Sequence, residues 1–254
     1  MNEQSEIGDI VEALGLASSG ELVAIVGGGG KSSLMFALAE RLPGRGVMTT
    51  TTRIFAEQMS LAAEVCTLDD ANWRARLDSV ESALLVVGHV EGERAMGVPS
   101  ELPAEMLAHS RIDWVAVEAD GSRMLPVKAP ASHEPVIPTG TTLLVPVVGI
   151  DALSNPIAEI AHRPERVCAI TGLSEADTLT PAALAMLLTS PEGGLKNAPS
   201  ARRAAVLINK VETAAEVALA RETADAILRE SSVERVVVGA LLGSDAKGWL
   251  VYTR

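Results

Sequence analysis

The chain has 254 residues with 33 acidic and 21 basic side chains, a formal net charge of −12 that argues against a nucleic-acid partner. At roughly 150 residues per domain, the length allows one large α/β domain or two small ones, and we expect a single domain over residues 1–254 with a helical extension at 1–20. Apolar residues make up 48% and charged residues 21% of the chain, which is typical of a globular protein and excludes disordered, collagenous and coiled-coil chains.

Short apolar runs, many of them β-branched, alternate with longer helical patterns along the chain. The predicted strands are Leu22–Val26, Gly46–Thr50, Leu84–Val87, Trp114–Val117, Thr142–Val148, Ala205–Ile208 and Val236–Val238. The predicted helices are Ser33–Leu42, Arg53–Ala63, Ala71–Val80, Glu101–His109, Pro181–Leu188 and Ala214–Arg229. Several strands are continuous apolar runs, as expected for strands covered on both faces. The alternation predicts an α/β fold, a mainly parallel sheet sandwiched by helices in a three-layer architecture like that of P-loop NTPases.

A glycine-rich loop joins the first predicted strand to the first predicted helix. Glycines allow backbone amides to converge on an anion, and the N-terminus of the following helix adds partial positive charge. Lys31 can reach the β- and γ-phosphates of a nucleotide, and the Ser32 hydroxyl can ligate Mg²⁺. The predicted nucleotide-binding residues of this loop are Gly27, Gly28, Gly29, Gly30, Lys31, Ser32 and Ser33.

This loop is two residues shorter than the usual phosphate-binding pattern, G-x-x-x-x-G-K-[ST], whose first glycine would fall at Ile25 inside the strand. A short loop followed by two hydroxyl residues resembles the version found in Mur ligases and folylpolyglutamate synthases. The alternative interpretation is a glycine-rich turn with a solvated lysine. The order of strand, glycines, lysine, serine and helix argues against that alternative.

A run of threonines and an arginine, Thr49–Arg53, ends the second predicted strand. In α/β sheets, ligands bind beyond the carboxyl ends of the strands, so these side chains are expected to face the same crevice as the glycine-rich loop. Thr51, Thr52 and Arg53 are therefore candidate contacts to phosphate or substrate. The alternative is that threonine occurs here only as a good strand former.

Two carboxylates, Glu118 and Asp120, follow the apolar strand Trp114–Val117. A metal-bound triphosphate requires a carboxylate at this place, which holds Mg²⁺ or orients the attacking group. We predict Lys31, Glu118 and Asp120 as catalytic residues. We predict Ser32, Glu118 and Asp120 as Mg²⁺ ligands. A polar turn after a buried strand is the alternative, because it would show the same pattern.

A long segment with four prolines, Gly121–Pro138, follows these carboxylates and shows no clear helical pattern. We interpret it as a functional loop rather than a linker, because a predicted strand follows directly. Its predicted contacts to substrate or phosphate are Arg123, Lys128, His133 and Glu134. They would bring cations to phosphate and a His–Glu pair to a substrate. His162 and Arg163 could join this group, although such a pair is also common on protein surfaces.

The predicted strand Ala205–Ile208 is followed by Asn209, Lys210 and, after one more residue, Glu212. This sequence resembles the guanine-reading N-K-x-D motif of GTPases, with Glu in place of Asp. A carboxylate here can accept hydrogen bonds from both N1–H and the N2 amino group of guanine, whereas adenine offers no such pair of donors. A plain strand-to-helix junction is the alternative, so ATP and GTP both stay open.

Nothing in the sequence indicates secretion or a membrane. Residues Met1–Asp9 are acidic and polar, which is unlike a secretory or transit signal. No apolar stretch approaches the roughly 18 residues that a membrane span requires. The two cysteines, Cys66 and Cys168, match neither a zinc-binding spacing nor a disulfide framework. We therefore expect a cytoplasmic protein with no membrane partner.

In combination, these motifs resemble those of the selenium-cofactor biosynthesis proteins, also described as YqeC-type accessory proteins of selenium-dependent molybdenum hydroxylases. The matching segments are Val26–Ser33, Thr49–Arg53, Glu118–Gly121, Lys128–Pro130, His133–Pro135 and Asn209–Lys210, and the resemblance spans roughly Gly20 to Leu241. It implies a nucleotide-binding protein that helps to mature a molybdenum hydroxylase by insertion of selenium or cofactor. The implied partners are the nucleotide and the molybdenum hydroxylase or its cofactor-maturation proteins. The implied cofactors are Mg²⁺ and ATP or GTP.

The order of the motifs is also similar to that of nickel-metallochaperone GTPases, which time cofactor delivery through a loop that changes order with the γ-phosphate. Our leading hypothesis is accordingly a Mg-dependent NTPase that acts as a maturation factor. One alternative is a Mur-like kinase or ligase that phosphorylates a small acid, and turnover that rises only with a particular acceptor would favour it. Another is a non-enzymatic binder of a phosphorylated pterin cofactor, which tight cofactor binding unaffected by ATP or GTP would favour.

Overall fold

The computed structural model describes residues 3–198, 201–242 and 248–254. Its strands are β1 (Glu3–Ile7), β2 (Glu21–Gly27), β3 (Gly46–Thr50), β4 (Arg53–Phe55), β5 (Glu64–Thr67), β6 (Ala83–Val87), β7 (Val90–Glu91), β8 (Arg94–Met96), β9 (Trp114–Glu118), β10 (Val127–Lys128), β11 (Leu143–Gly149), β12 (Ala161–His162), β13 (Arg203–Asn209), β14 (Arg235–Val238) and β15 (Trp249–Thr253). Its α-helices are α1 (Ile10–Ala13), α2 (Lys31–Arg41), α3 (Trp73–Ser79), α4 (Leu102–Leu107), α5 (Ile157–Ile160), α6 (Pro164–Thr171), α7 (Pro181–Thr189) and α8 (Ala214–Glu230). Within these described ranges, none of the helices has the length and apolar character needed to cross a membrane.

Ten strands form the central sheet, in the order β1-β15-β14-β13-β11-β2-β9-β3-β6-β5. Every neighbouring pair from β14 to β5 is parallel, while β15 runs antiparallel to both β14 and β1. Two small sheets lie outside it: β10 pairs with β12, and β4 pairs with β8, which pairs with β7. The prediction of a mainly parallel sheet flanked by helices is confirmed.

The central strands bury side chains on both faces of the sheet, which explains their continuous apolar sequences. Along β2, Val23 and Ile25 pack in one cluster with Leu34 of α2. The intervening Ala24 packs in a separate cluster with Leu144 of β11, because successive side chains of a strand point to opposite faces. A fully buried leucine stabilises a fold by about 2 kcal/mol relative to an exposed one. Packing on both faces therefore fixes the strand ends at which the candidate site lies.

Side-chain caps begin two of the long helices but not the helix that follows the glycine-rich loop. α7 starts at Pro181 after Thr180, whose side chain accepts a hydrogen bond from an amide in the first turn. α8 starts after Thr213, which forms a reciprocal capping box with Glu216. α2 is preceded by Gly30, which has no side chain to cap it. Its first amides are therefore left for another acceptor.

The prediction of a helix over Arg53–Ala63 is wrong. Residues Arg53–Phe55 form β4, and the 3₁₀ segment Ala56–Leu61 follows it. Ile54 is buried and pairs with Ala95 of β8. Pairing with a strand that is distant in sequence outweighs the local helical pattern, an effect that no local window contains.

The helical extension predicted at residues 1–20 is largely replaced by a strand. β1 adds an edge strand to the sheet by pairing with β15, and α1 is limited to Ile10–Ala13. The partner of β1 lies at the opposite end of the chain, and this distant pairing decides the conformation of the segment.

Candidate functional site

The carboxyl ends of β2, β9, β11 and β13 lie side by side at one edge of the sheet. The register pairs Glu118 of β9 with Ile25 of β2, and it sets Gly27 of β2 against β11. On the far side of β11, Gly149 pairs with Asn209 of β13. The parallel sheet therefore brings the glycine-rich loop, the carboxylates and the Asn-Lys segment to the edge where α/β sheets bind ligands.

The first amides of the glycine-rich loop are hydrogen-bonded to the protein itself. Gly27 N–H donates to the Asp120 carboxylate, 3.1 Å from Oδ1. Gly28 N–H donates to a carbonyl of β11 at 2.9 Å. Gly29 N–H donates to the Leu125 carbonyl at 3.1 Å. In this structure these three amides face protein acceptors rather than a shared anion position.

The amides that remain for an anion are those at the start of α2. Leu34 N–H donates to the Gly30 carbonyl at 2.9 Å, which is the first hydrogen bond of the helix. The amides of residues 30–33 therefore have no hydrogen-bond acceptor within the helix. Such amides carry the partial positive charge of the helix N-terminus, which favours phosphate. The candidate phosphate position accordingly lies beyond Gly30, at the N-terminus of α2.

Close packing explains why the loop is made of glycines. A Cβ atom at Gly29 would lie 2.2 Å from the Gly149 amide nitrogen, and one at Gly30 would lie 2.2 Å from Asn209 Nδ2. Gly30 also has a φ of 138°, which residues with side chains rarely adopt. A larger residue at either position would push the loop away from β11 and β13.

Lys31, the first residue of α2, turns its ammonium group back over the loop. Its Nζ donates to the Gly27 carbonyl at 2.8 Å. The same atom lies 3.5 Å from Asp120 Oδ1 and 3.7 Å from Glu118 Oε1. The side chain is buried, so the ammonium group of Lys31 faces both carboxylates away from water. The structure thus brings the three predicted catalytic residues together at one point.

Ser32 lies between Glu118 and a side chain that the sequence did not indicate, Gln58. Its hydroxyl donates to Glu118 Oε2 at 2.7 Å and accepts from Gln58 Nε2 at 2.7 Å. A hydroxyl and a carboxylate are hard oxygen donors of the kind that Mg²⁺ prefers. In the part of the chain that the structure describes, no group of three or more His, Cys, Asp or Glu side chains could hold a metal ion. Ser32 and Glu118 are two side chains that could hold a Mg²⁺ whose remaining ligands come from phosphate and water.

A row of alternating charges runs from Lys31 away from the glycine-rich loop. Asp120 Oδ2 lies 3.1 Å from Lys128 Nζ, which lies 2.8 Å from Glu134 Oε2. The same Glu134 oxygen accepts a second bond, at 2.8 Å, from Arg163 before α6. The side chains of Lys128 and Asp120 are 1% and 2% exposed, so water screens their interaction little. Two predicted loop residues, Lys128 and Glu134, thus connect to the glycine-rich loop through Asp120, and Arg163 ends the row.

The row of charges sets the protonation of Glu134 and of its neighbour His162. Burial alone would raise the pKa of Glu134, but hydrogen bonds from Lys128 and Arg163 outweigh burial and lower this pKa to about 2. Burial, together with the positive charges of Arg163 and Lys128, lowers the pKa of His162. His162 Nδ1 lies 3.2 Å from the Gly121 carbonyl, which can only accept, so Nδ1 carries the proton of the neutral ring.

Glu134→Gln should make the free energy of unfolding less dependent on pH under acidic conditions. The folded-state pKa of about 2 lies below the ordinary value of 4.5, so the ionised group stabilises the fold above that value. This stabilisation, on the order of 3 kcal/mol, is lost as the pH falls from about 4.5 towards about 2. Urea unfolding of wild type and variant between about pH 7 and pH 3 measures the change. Curves that stay parallel over this range would contradict it.

Other predicted contacts lie apart from the row of charges. Thr51 donates its hydroxyl to the Val136 carbonyl at 2.7 Å, and Thr52 N–H donates to Thr50 Oγ1 at 3.1 Å. Thr51 therefore ties the end of β3 to the segment Gly121–Pro138. Three of the predicted contacts, Arg53, Arg123 and His133, are exposed. Their side chains make no hydrogen bond or ion pair with the described residues.

Asn209 holds the glycine-rich loop from the β13 side. Its buried amide donates from Nδ2 to the Gly29 carbonyl at 2.7 Å, and its Oδ1 accepts an amide proton from the segment after β14 at 2.9 Å. Lys210 extends the other way and donates to Asp151 Oδ2 at 2.7 Å. Glu212 is exposed beyond this pair. The Asn-Lys segment thus borders the glycine-rich loop.

Gln58 and Asp151 are residues of this region that sequence reasoning missed. Gln58 lies in a segment predicted as helix, and Asp151 follows β11 without a recognisable motif. Their partners, Ser32 and Lys210, are 26 and 59 positions away in sequence. A pair at such a separation leaves no spacing pattern, so there was no signal from which to find it.

Comparison with known proteins shows similarity to a family and to a relative. The sequence model of the family described as YqeC protein matches residues 23–165. That range contains the whole row of charges from Lys31 to Arg163, but not Asn209. A protein of Escherichia coli (strain K12) described as uncharacterized protein YqeC is 31% identical over 234 residues, which cover 91% of this chain and 91% of that protein. No solved structure matches this chain.

Proposed function

This chain belongs to the YqeC family, and we propose that it is a Mg-dependent NTPase that serves as an accessory factor in maturing a selenium-dependent molybdenum hydroxylase. The observation that carries the proposal is the convergence of Lys31, Ser32 and Glu118 at the N-terminus of α2. A cation, a hydroxyl and a carboxylate beside free helix amides are the groups that a Mg–triphosphate requires. The selenium and molybdenum context is supported by the family resemblance alone.

In the proposed site, the amides at the start of α2 bind phosphate oxygens, and Lys31 stabilises the negative charge of the transferred group. Lys31 now donates to the Gly27 carbonyl, an acceptor that a phosphate oxygen would outcompete because it is charged. Ser32 and Glu118 would hold Mg²⁺, which supplies charge neutralisation at the β- and γ-phosphates.

Asp120 has a different task from Glu118 in this proposal. Its carboxylate already accepts the Gly27 amide proton and faces both Lys31 and Lys128. Asp120 therefore positions the loop and the two lysines. Glu118, whose side chain is bonded to the Ser32 hydroxyl, is the carboxylate on the metal side.

The row of charges connects the proposed phosphate position to the segment Gly121–Pro138. A phosphate that draws Lys31 away from Asp120 would leave that carboxylate to Lys128. Lys128 also donates to the Gly121 carbonyl at 2.7 Å and to Glu134 at 2.8 Å. Occupancy of the phosphate position thereby changes the balance of contacts that orders the segment, as timed delivery of a cofactor requires.

The nucleobase is expected at the Asn-Lys side of the glycine-rich loop, where Glu212 supplies the carboxylate that guanine recognition requires. Asn209 is bonded to the Gly29 carbonyl, so the end of β13 is held beside the phosphate position. We therefore expect GTP to stabilise the protein more than ATP does. A larger effect of ATP would contradict guanine recognition and leave Asn209 with the role of a loop anchor.

Two measurements test the proposal. Thermal unfolding with Mg–GTP or Mg–ATP, and with each nucleotide alone, measures binding, and release of inorganic phosphate measures hydrolysis. Wild type should be stabilised by the Mg complex, and Ser32→Ala should lose most of the dependence on Mg²⁺ because it removes a metal ligand. Ser79→Ala is the control for removing a serine hydroxyl, since Ser79 ends α3, outside the glycine-rich loop, and its hydroxyl donates to the Arg76 carbonyl of the same helix. A wild-type protein that neither binds nor hydrolyses a Mg–nucleotide at millimolar concentration would overturn the proposed function.

A further inference from the structure

The segment Arg53–Leu61 is hydrogen-bonded to Ser32 through the side chain of Gln58. Gln58, in the 3₁₀ part of this segment, donates from Nε2 to Ser32 Oγ at 2.7 Å. The Ser32 hydroxyl in turn donates to Glu118 Oε2 at 2.7 Å. The candidate metal ligand thus lies between a carboxylate on β9 and an amide on the 3₁₀ segment.

The two hydrogen bonds leave Ser32 Oγ with one free position. A hydroxyl has one proton to donate and two lone pairs that accept. The proton goes to Glu118, and one lone pair receives the Gln58 amide. Because these two bonds fix the rotation of the hydroxyl, the remaining lone pair has a single direction, which is the one available to a cation.

The amide of Gln58 is itself held in one orientation. Its Oε1 accepts the Phe55 amide proton at 2.9 Å, so Nε2 has to face Ser32. The backbone on either side of Phe55 is anchored as well: Ile54 is buried in the core, and Ala56 N–H donates to the Glu93 carbonyl at 2.9 Å. The donor therefore comes from a supported position and not from a freely rotating surface side chain.

We propose that Gln58 is a positioning residue for Mg²⁺ in the nucleotide complex. It directs the free lone pair of Ser32 and so increases the affinity for the metal without touching the metal or the phosphates. This inference rests on the proposed function, because it assigns a role at the same Mg–nucleotide position. It adds a residue from outside the glycine-rich loop and connects the segment Arg53–Leu61 to metal binding.

The test is a Mg²⁺ titration of nucleotide binding, followed with a fluorescent GTP or ATP analogue. Gln58→Ala should raise the Mg²⁺ concentration at half-saturation about tenfold, the factor expected for one hydrogen bond of about 1.4 kcal/mol. Binding of the nucleotide without Mg²⁺ should be unchanged, since the Gln58 side chain bonds the candidate metal ligand Ser32 and its own segment. Glu57→Ala is the matched control, because Glu57 is the exposed neighbour on the same segment and its side chain makes no hydrogen bond there.

A second variant, Gln58→Met, separates the hydrogen bond from packing. Methionine keeps the length of the side chain and removes both the donor and the acceptor. It should show the same tenfold change as Gln58→Ala. A Gln58→Met protein with wild-type Mg²⁺ dependence would show that the side chain acts by packing and would overturn the inference.

The outcomes distinguish this inference from the proposed function. If wild type binds a Mg–nucleotide and both Gln58 variants need the same Mg²⁺ as wild type, the inference is wrong and the proposed function stands. If wild type shows no Mg²⁺-dependent binding at all, the proposed function is wrong and the inference falls with it.

Discussion

Lys31→Ala should abolish the stabilisation that a Mg–nucleotide gives to the wild-type protein. A ligand at a hundred times its Kd stabilises a folded protein by about 2.7 kcal/mol, which is readily measured as a shift in Tm. Lys31 supplies the buried cation at the N-terminus of α2, next to Glu118 and Asp120. Without it, the phosphates would meet the Glu118 carboxylate with no ammonium group beside it, and repulsion would oppose binding. Thermal unfolding of both proteins with Mg–GTP and Mg–ATP measures the loss.

The Lys31→Ala protein should still fold, so loss of binding can be separated from loss of structure. Asp120 keeps Lys128 and the Gly27 amide as partners, and Glu118 keeps the Ser32 hydroxyl. Asp120 therefore keeps a compensating cation, and Glu118 keeps a hydrogen-bond donor, whereas a buried carboxylate with no partner is the condition that most strongly destabilises a fold. Circular dichroism and the Tm without nucleotide check this.

Lys196→Ala is the control for removing a lysine. Lys196 also donates to a backbone carbonyl, that of Ala131 at 2.6 Å, and it has no part in the row of charges. This variant should keep the full nucleotide shift. A Lys31→Ala protein that keeps the wild-type shift would contradict a phosphate site at the start of α2.

The same substitution tests the proposed role in maturation. In a host that lacks its own copy of the protein and produces a selenium-dependent molybdenum hydroxylase, the wild-type gene should restore hydroxylase activity and selenium content. Lys31→Ala should restore neither, because timed delivery requires the nucleotide. Full restoration by the variant would separate maturation from nucleotide binding and refute their connection.

Lys128→Met should destabilise the protein by about 3–5 kcal/mol, the range observed when one partner of a buried ion pair is removed. Lys128 lies between Asp120 and Glu134, with Nζ 3.1 Å from the first carboxylate and 2.8 Å from the second. Methionine fills a similar volume but removes the cation between these two carboxylates. Asp120 keeps Lys31 and Glu134 keeps Arg163, so we expect the loss at the lower end of this range. Urea unfolding at neutral pH measures the difference in unfolding free energy.

An exposed lysine pair provides the comparison. Lys210 and Asp151 are 2.7 Å apart, but their side chains are 44% and 45% exposed. Lys210→Met should therefore cost less than about 1 kcal/mol. Adding Glu134→Gln to Lys128→Met should recover part of the lost stability, because it removes the charge of one of the two carboxylates. A loss below about 1 kcal/mol for Lys128→Met would show that the buried row of charges does not stabilise the fold.

Much of the scaffold of the site was evident in the sequence. Strands such as β2 and β9 are covered on both faces, so they have to be apolar throughout, and a continuous apolar run can be recognised locally. Strands alternating with helices imply a parallel order, which places all carboxyl ends at one edge. Lys31, Ser32 and Glu118 could therefore be assigned to one place before any contact was known.

The contacts at that place were decided only by the tertiary structure. Asn209 is bonded to Gly29 across 180 positions, and Gln58 reaches Ser32 from a segment whose local pattern indicated a helix. The direction of the loop amides, the row of charges to Arg163 and the pairing of β1 with β15 have the same origin. Each depends on which distant segments the fold brings together, and the energy of such a contact belongs to the pair and not to the local sequence of either member.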